Sequence, residues 1–130
     1  MRLLLDTHVA LWAILDDARL GIAREMIADD GNEVFVSAAS VWEIAIKHSL
    51  WRGRPNDMPI SGQQAHQFFQ KAGYAELVIT AKHAAGVAAL PTLHSDPFDR
   101  ILLAQATIEP MRLITHDKKI AAYGGPTLLV

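Results

Sequence analysis

The chain has 130 residues, 51% of them hydrophobic, and a formal net charge of -2. That length suits one domain with a full core, and the near-neutral charge gives no global signal for nucleic-acid binding. The complete lack of cysteine excludes disulfides and thiolate metal sites, and no apolar run approaches the roughly 18 residues of a membrane span.

The first half of the chain alternates short apolar runs with helical patterns. Arg2 to Leu5 predicts a strand covered on both faces, and Asp6 and His8 break this run too early for a signal peptide. Helices are predicted over Thr7 to Leu15, over Ile22 to Ala28, and from a Ser37 cap through about Leu50, with a strand at Val34 to Val36. Trp12 and Trp42 fall on helical stripes and are predicted to lie in the core.

The second half continues the alternation after a loop over Trp51 to Ile60, where Trp51 is expected to be exposed. Its predicted elements are a helix at Gln63 to Lys71, a strand at Leu77 to Ile79, a helix from a Thr80 cap to about Leu90, a helix from Pro97, and strands at Arg112 to Thr115 and Thr127 to Val130. Strands that alternate with helices indicate an α/β domain with a parallel sheet. We therefore expect one soluble, cytoplasmic domain over residues 1–130.

Four acidic residues stand at recurring positions beside the predicted strands. Asp6 ends the first strand, Asp117 follows the strand at Arg112 to Thr115, and Glu43 and Asp99 lie in the first turns of helices. Ligands of open parallel sheets bind beyond the carboxyl ends of the strands. Carboxylates that meet there repel, by roughly 4 kcal/mol for a pair about 4 Å apart at an effective dielectric of 20. A hard divalent cation such as Mg²⁺ or Mn²⁺ would relieve that repulsion.

Each acid also has a purely structural explanation. Asp6 and Asp117 can cap the helical turns that follow them, and Asp96-Pro97-Phe98-Asp99 is a typical helix start. Glu43 and Lys47 stand four residues apart and can form a surface ion pair. The recurrence of strand-end positions favours a shared site, but for Asp96 we favour the helix cap over a metal ligand.

Four segments of the chain resemble the PIN-domain ribonucleases of the VapC toxin type. They are LLLDTHVALWAI from Leu3, VSAASVWEIAIKHSLWRG from Val36, ITAKHAAGVAALPTLHSDPFDRILLAQA from Ile79 and LITHDKKIAAYG from Leu113. The resemblance runs from about Arg2 to Gly124, and the order and spacing of the segments also match. It implies a PIN-like three-layer α/β/α fold with a central parallel sheet.

The resemblance also implies a function, namely Mg²⁺- or Mn²⁺-dependent endonucleolytic cleavage of RNA, held in check by a small antitoxin. The family's catalytic and metal-binding acids match Asp6, Glu43, Asp99 and Asp117, with Asp6 and Asp99 expected to hold the ion most directly and Asp117 to be the looser fourth acid. Lys47, Arg100 and Thr115 are candidates for contacts with the RNA. Homodimers are expected, since family members often dimerise.

An antitoxin tail is expected to fold along the apolar helices near Leu11 to Leu15 and Val41 to Ile46, and to direct a basic side chain toward the acids. His8, His94 and His116 neighbour the acids, but we interpret them as structural rather than as metal ligands. Two other functions stay open at this point. One is a non-catalytic PIN-fold module that binds RNA or protein, and the other is a receiver-like phosphoacceptor domain, which would want a second acid directly beside Asp6, where Thr7 stands.

Overall fold

A computed structural model describes all residues, 1–130, as five strands and seven α-helices. The strands are β1 (Arg2–Leu5), β2 (Glu33–Ser37), β3 (Ala75–Leu77), β4 (Arg112–Thr115) and β5 (Thr127–Leu129). The helices are α1 (Thr7–Ile14), α2 (Ala23–Ala28), α3 (Ala38–Ser49), α4 (Gly62–Lys71), α5 (Ala81–Gly86), α6 (Pro97–Ile108) and α7 (Lys118–Ala121). None of these helices combines the length and the apolar character that crossing a bilayer requires.

All five strands pair in parallel in one sheet, in the order β3-β2-β1-β4-β5. Leu5 stands level with Val36 on one side and with Ile114 on the other, so that β1, β2 and β4 end at the same edge. The chain winds outward from β1 through β2 to β3 and then returns to place β4 on the other side of β1. The strand order therefore reverses between β1 and β4, and this switch point is where open α/β sheets bind ligands.

Helices cover both faces of the sheet, as the predicted three-layer α/β/α fold requires. Alternate side chains of β1 point to opposite faces, so that Leu3 and Leu5 enter one core while Leu4 enters the other. The first core is filled by α1, α2, α3 and α4, and the second mainly by α6 and α7. The fold class predicted from the sequence is confirmed.

Two details differ from the prediction. The third strand ends at Leu77, and Val78 and Ile79 are exposed. The reason is that β3 pairs with β2 alone, and its ladder stops at Ser37, where β2 gives way to α3. The second difference is Trp42, whose side chain is 59% exposed although it was predicted to lie in the core. Trp12 and Trp51 lie as predicted, the first buried and the second exposed.

The exposure of Trp42 follows from the face of α3 that the fold buries. The helical stripe that contains Trp42 consists of Val41, Trp42, Ala45 and Ile46, yet the buried residues of α3 are Ala39, Ser40, Glu43 and Ile44. Half of the buried face is polar, because it forms part of a polar site. A stripe chosen by hydrophobicity alone therefore selects the wrong side of this helix.

The contact between α3 and α4 is close enough to require glycine at residue 62. A Cβ at Gly62 would lie 2.6 Å from the Cβ and 3.1 Å from the Cα of Ala45, so we expect Gly62→Ala to lower the free energy of unfolding by about 1–3 kcal/mol. Gly86→Ala is the matched control, because its Cβ would meet only the flexible tip of Ile108, at 2.8 Å. Urea unfolding of both variants tests this, and an equal loss in the two would contradict the close contact.

Candidate active site

A polar cleft of about 430 Å³ opens at the carboxyl edge of the sheet, beside the switch point. The four acids singled out in the sequence all line it, on β1, α3, α6 and the segment after β4. The other lining residues are Thr7, His8, Lys47, His94, Asp96, Lys119 and Ile120. The fold therefore brings together carboxylates that are up to 111 residues apart in the chain, as Asp6 and Asp117 are.

Asp6 is fixed by the turn from β1 into α1. Its backbone N–H donates to the carbonyl of Ile114 at 3.0 Å, and its Oδ1 accepts from the backbone N–H of Val9 at 2.8 Å. The side chain of Thr115 stabilises the charged form of this carboxylate and so opposes the rise of its pKa. Thr115 is fully buried and its Oγ1 accepts from the backbone N–H of Asp117 at 3.0 Å. Thr115 therefore lies between two acids in this structure, and its contact with RNA stays a prediction.

The closest potential ligand atoms belong to Asp99, Asp117 and His94, and they all lie within 4.8 Å of one another. His94 Nε2 lies 2.6 Å from Asp99 Oδ2, a contact that requires a proton between the two atoms. Asp117 caps α7 by accepting from the backbone N–H of Lys119 at 2.8 Å. Asp117, expected to be the looser acid, thus belongs to the tightest group, and His94 is a site residue that the sequence interpretation treated as structural.

Glu43 reaches the cleft from α3 as a buried carboxylate, with an exposed fraction of 3%. Its Oε2 lies 2.5 Å from Nζ of Lys47, so the predicted pair exists, but it is half buried and not a surface pair. Its Oε1 is buried without any hydrogen-bond partner. An unpaired buried carboxylate oxygen costs free energy, and one that faces a polar cleft is typical of a ligand position.

The acids disturb one another electrostatically. Burial raises the pKa of Asp6 above its ordinary value, and the charge of Asp117 adds to that rise. Burial likewise raises the pKa of Asp99 to about 6, with the charges of Asp96 and Glu43 as further causes and the hydrogen bond from His94 opposing them. The cleft therefore holds more negative charge than its two lysines, Lys47 and Lys119, balance.

Arg100 does not contribute to the cleft, although the sequence made it a candidate for RNA binding. Its Nη1 donates to the carbonyl of Pro91 at 3.0 Å and to the hydroxyl of Tyr123 at 3.1 Å, and its Nη2 donates to the carbonyl of Val87 at 3.1 Å. The Tyr123 hydroxyl in turn accepts from the backbone N–H of His94 at 3.0 Å. Arg100 therefore holds the loop that presents His94.

Asp96 has the cap role favoured from the sequence, since its Oδ1 accepts from the backbone N–H groups of Phe98 and Asp99 at 2.9 and 3.1 Å. Asp6 and Asp117 are helix caps as well, and all three still line the cleft. An aspartate can thus cap a helix and also belong to the shared acidic site. The reason is that a helix that starts at the edge of the sheet points its first N–H groups into the cleft.

The residues present fit a divalent metal ion. The donor set consists mainly of carboxylate oxygens with one imidazole and no thiolate, which suits hard ions such as Mg²⁺ or Mn²⁺. The orphaned Oε1 of Glu43 and the raised pKa of Asp99 are both features that a bound cation would relieve.

The PIN domain family matches residues 3–126 of the chain. Among proteins of known function, Ribonuclease VapC22 of Mycobacterium tuberculosis is 30% identical over 125 residues, which cover 95% of this chain and 92% of that protein. This level of identity over nearly the full length of both chains shows that they belong to one family.

Solved structures share the fold. A complex of VapBC2 from Rickettsia felis with a DNA fragment of its promoter superposes with a TM-score of 0.65 at 17% identity, over 100% of this chain and 98% of that one. VapBC-1 from nontypeable Haemophilus influenzae gives 0.64 at 12% identity, over 95% and 92% of the two chains. At such identities the likeness concerns the fold alone.

The raised pKa of Asp99 predicts how the metal-free protein responds to pH. Between its ordinary value of 3.8 and about 6, the folded state binds the proton more tightly than the unfolded state, so stability falls as pH rises through this window. Asp99→Asn removes that titration. In EDTA, its melting temperature relative to the wild type should therefore rise from pH 4 to pH 7.

Asp57 supplies the control of opposite sign. Backbone N–H groups of Arg52 and Arg54 lower its pKa, so Asp57→Asn should lose stability at neutral pH and approach the wild type as pH falls. Scanning calorimetry of the three proteins measures both trends. A difference between Asp99→Asn and the wild type that does not change with pH would contradict the raised pKa.

Proposed function

The chain belongs to the PIN-domain family, and we propose that it is a metal-dependent endoribonuclease that acts as the toxin of a toxin–antitoxin pair. The proposal rests on one observation above all: four acids and His94 converge in a cleft where the buried Oε1 of Glu43 has no partner. Its named relative is a ribonuclease, which supports RNA as the substrate.

The cofactor is a divalent cation, with Mg²⁺ or Mn²⁺ as the ions that suit carboxylate oxygens. Asp99, Asp117 and His94 would hold it, with Asp6 and Glu43 completing the set from β1 and α3. When bound, it supplies charge neutralisation for the phosphodiester and activation of a water molecule.

The chain's own residues supply the remaining requirements of hydrolysis. The carboxylate of Glu43 lines the cleft and would orient the attacking water. The water oxygen forms a bond to phosphorus and gives up a proton, while the bond to the leaving oxygen breaks and that oxygen takes up a proton. Lys47 and Lys119 attract the phosphate backbone to the rim of the cleft. Thr115 and Arg100 act as positioning residues, the first for Asp6 and Asp117, the second for the His94 loop.

The alternative functions are weaker. A receiver-like domain has the strand order 2-1-3-4-5, whereas this sheet has the order 3-2-1-4-5. A PIN fold that only binds RNA or protein would not need a buried carboxylate oxygen without a partner, because its desolvation is costly.

A partner antitoxin is supported by the fold relatives, several of which are toxin–antitoxin complexes. Of the two apolar stretches expected to receive its tail, the one on α3 is the more open, because Trp42 and Ile46 are both exposed. In the other stretch Leu11 and Trp12 are buried and Leu15 is exposed. An arginine brought into the cleft would bind the carboxylates with two parallel hydrogen bonds. Cytoplasmic action and a homodimer complete the proposal.

The central test is RNA cleavage by three variants. Asp6→Asn, Glu43→Gln and Asp99→Asn should each lower the cleavage rate by at least about 100-fold, because each removes a charged ligand while keeping the side chain's shape. Cleavage of a labelled single-stranded RNA in Mg²⁺ or Mn²⁺ measures this. Asp16→Asn is the matched control, since Asp16 lies outside the cleft with φ 53°, a conformation that asparagine tolerates.

The same four variants and the wild type test the toxin assignment. Wild type and Asp16→Asn should arrest growth when expressed without an antitoxin, and the three cleft variants should not. Near wild-type cleavage by Asp99→Asn would exclude it from the metal site, and harmless expression of an active wild type would refute the toxin role.

Metal binding should also stabilise the folded protein. An ion that binds only the folded state adds about 2.7 kcal/mol at 100 times its dissociation constant, so millimolar Mg²⁺ or Mn²⁺ should raise the melting temperature of the wild type. Asp99→Asn should show little of this rise, and Asp16→Asn all of it. An equal rise in every protein would place the ion elsewhere.

A further inference from the structure

A second cleft of about 270 Å³ adjoins the acidic one at the same edge of the sheet. The two share Asp6, His8 and Asp117, so a polymer that enters one passes directly into the other. The residues found only in the second cleft are Trp12, Arg19 and His116. We call this the aromatic cleft.

Arg19 and His116 are exposed in the aromatic cleft and are held in fixed positions, with the buried Trp12 behind them. The ring of His116 meets that of Trp12 edge to face, with centroids 5.3 Å apart, and its Nδ1 lies 2.9 Å from the carbonyl oxygen of Val130. The guanidinium of Arg19 lies 5.1 Å above the ring centroid of Trp12. It is also clamped by Asp17, to which Nε and Nη2 donate at 3.1 and 2.7 Å.

This order is not explained by stability. Exposed ion pairs such as Arg19–Asp17 contribute little to folding, and His116 is exposed. Rigid, solvent-facing aromatic and cationic groups lower the entropy cost of binding. Nη1 of Arg19 keeps its donors free, since only Nε and Nη2 bind Asp17.

We propose that the aromatic cleft binds the nucleotide next to the scissile phosphate of a single-stranded RNA, with the base stacked on His116 and the phosphate on Arg19. Unstacked bases bind to aromatic and histidine rings and to arginine planes, and phosphates accept from free guanidinium donors. This deepens the proposed ribonuclease function and rests on it for the position of the cut.

The test compares His116→Ala and Arg19→Ala with two controls outside both clefts. Those controls are His66→Ala, whose ring pairs with Glu76, and Arg24→Ala, whose guanidinium pairs with Asp16. Affinity is measured by fluorescence anisotropy with a labelled single-stranded RNA, in an Asp99→Asn background so that binding is scored without cleavage. Each cleft variant should bind roughly 5-fold or more weakly, and each control within about 2-fold.

Stacking predicts three further results that a purely structural role of His116 does not. His116→Phe should keep the affinity that His116→Ala loses, because any aromatic face can stack. In the cleaving background, His116→Ala should raise KM and leave kcat nearly unchanged. An RNA with one abasic nucleotide beside the cut should lose affinity for the wild type but not for His116→Ala.

Failure of this inference can be told apart from failure of the proposed function. If the wild type cleaves RNA and His116→Ala and Arg19→Ala bind it as the controls do, the aromatic cleft is not a subsite although the ribonuclease proposal stands. If the wild type cuts no RNA but binds it through His116 and Arg19, the subsite stands and catalysis fails. If no protein binds RNA, both are refuted.

Discussion

The structure around the cleft depends on one constraint, which is the repulsion among carboxylates at one edge of the sheet. Asp6, Glu43, Asp99 and Asp117 line one cleft with Asp96 beside them, and only two lysines share it. Such a set can be held together only by neighbouring donors, by protons or by a cation. The structure uses the first two: helix N-termini donate to Asp6 and Asp117, His94 shares a proton with Asp99, and the pKa of Asp99 is raised.

The topology explains why these residues meet. Parallel strands in register end together, so Asp6 after β1 and Asp117 after β4 flank the point where the strand order reverses. Helices that begin at the same edge bring Asp99 in the first turn of α6 and Glu43 in the second turn of α3. The same aspartate can therefore cap a helix and bind a ligand. The backbone N–H groups of the helix bind one oxygen of the carboxylate, and the second oxygen is left for the ligand.

Much of this was predictable from local chemistry. The alternation of strands and helices, the caps at Ser37, Thr80 and Asp96, and the burial of β1 follow from residue type and spacing. What the sequence did not predict depended on long-range contacts. Trp42 is exposed because α3 buries a polar face. The contacts of Arg100 and His94 depend on a loop held by Tyr123. The only sequence signal for His94 was its place five residues before Asp99.

The central claim is that a divalent cation binds in this cleft and not at another acidic part of the surface. Asp29, Asp30 and Glu33 line a separate cleft of about 450 Å³ and offer a competing location. Anomalous diffraction from crystals soaked in Mn²⁺ distinguishes the two directly. The account predicts one strong peak bound by Asp99 together with Asp6 or Asp117. A peak beside Asp29 and Asp30 with none at Asp99, at saturating Mn²⁺, would contradict it.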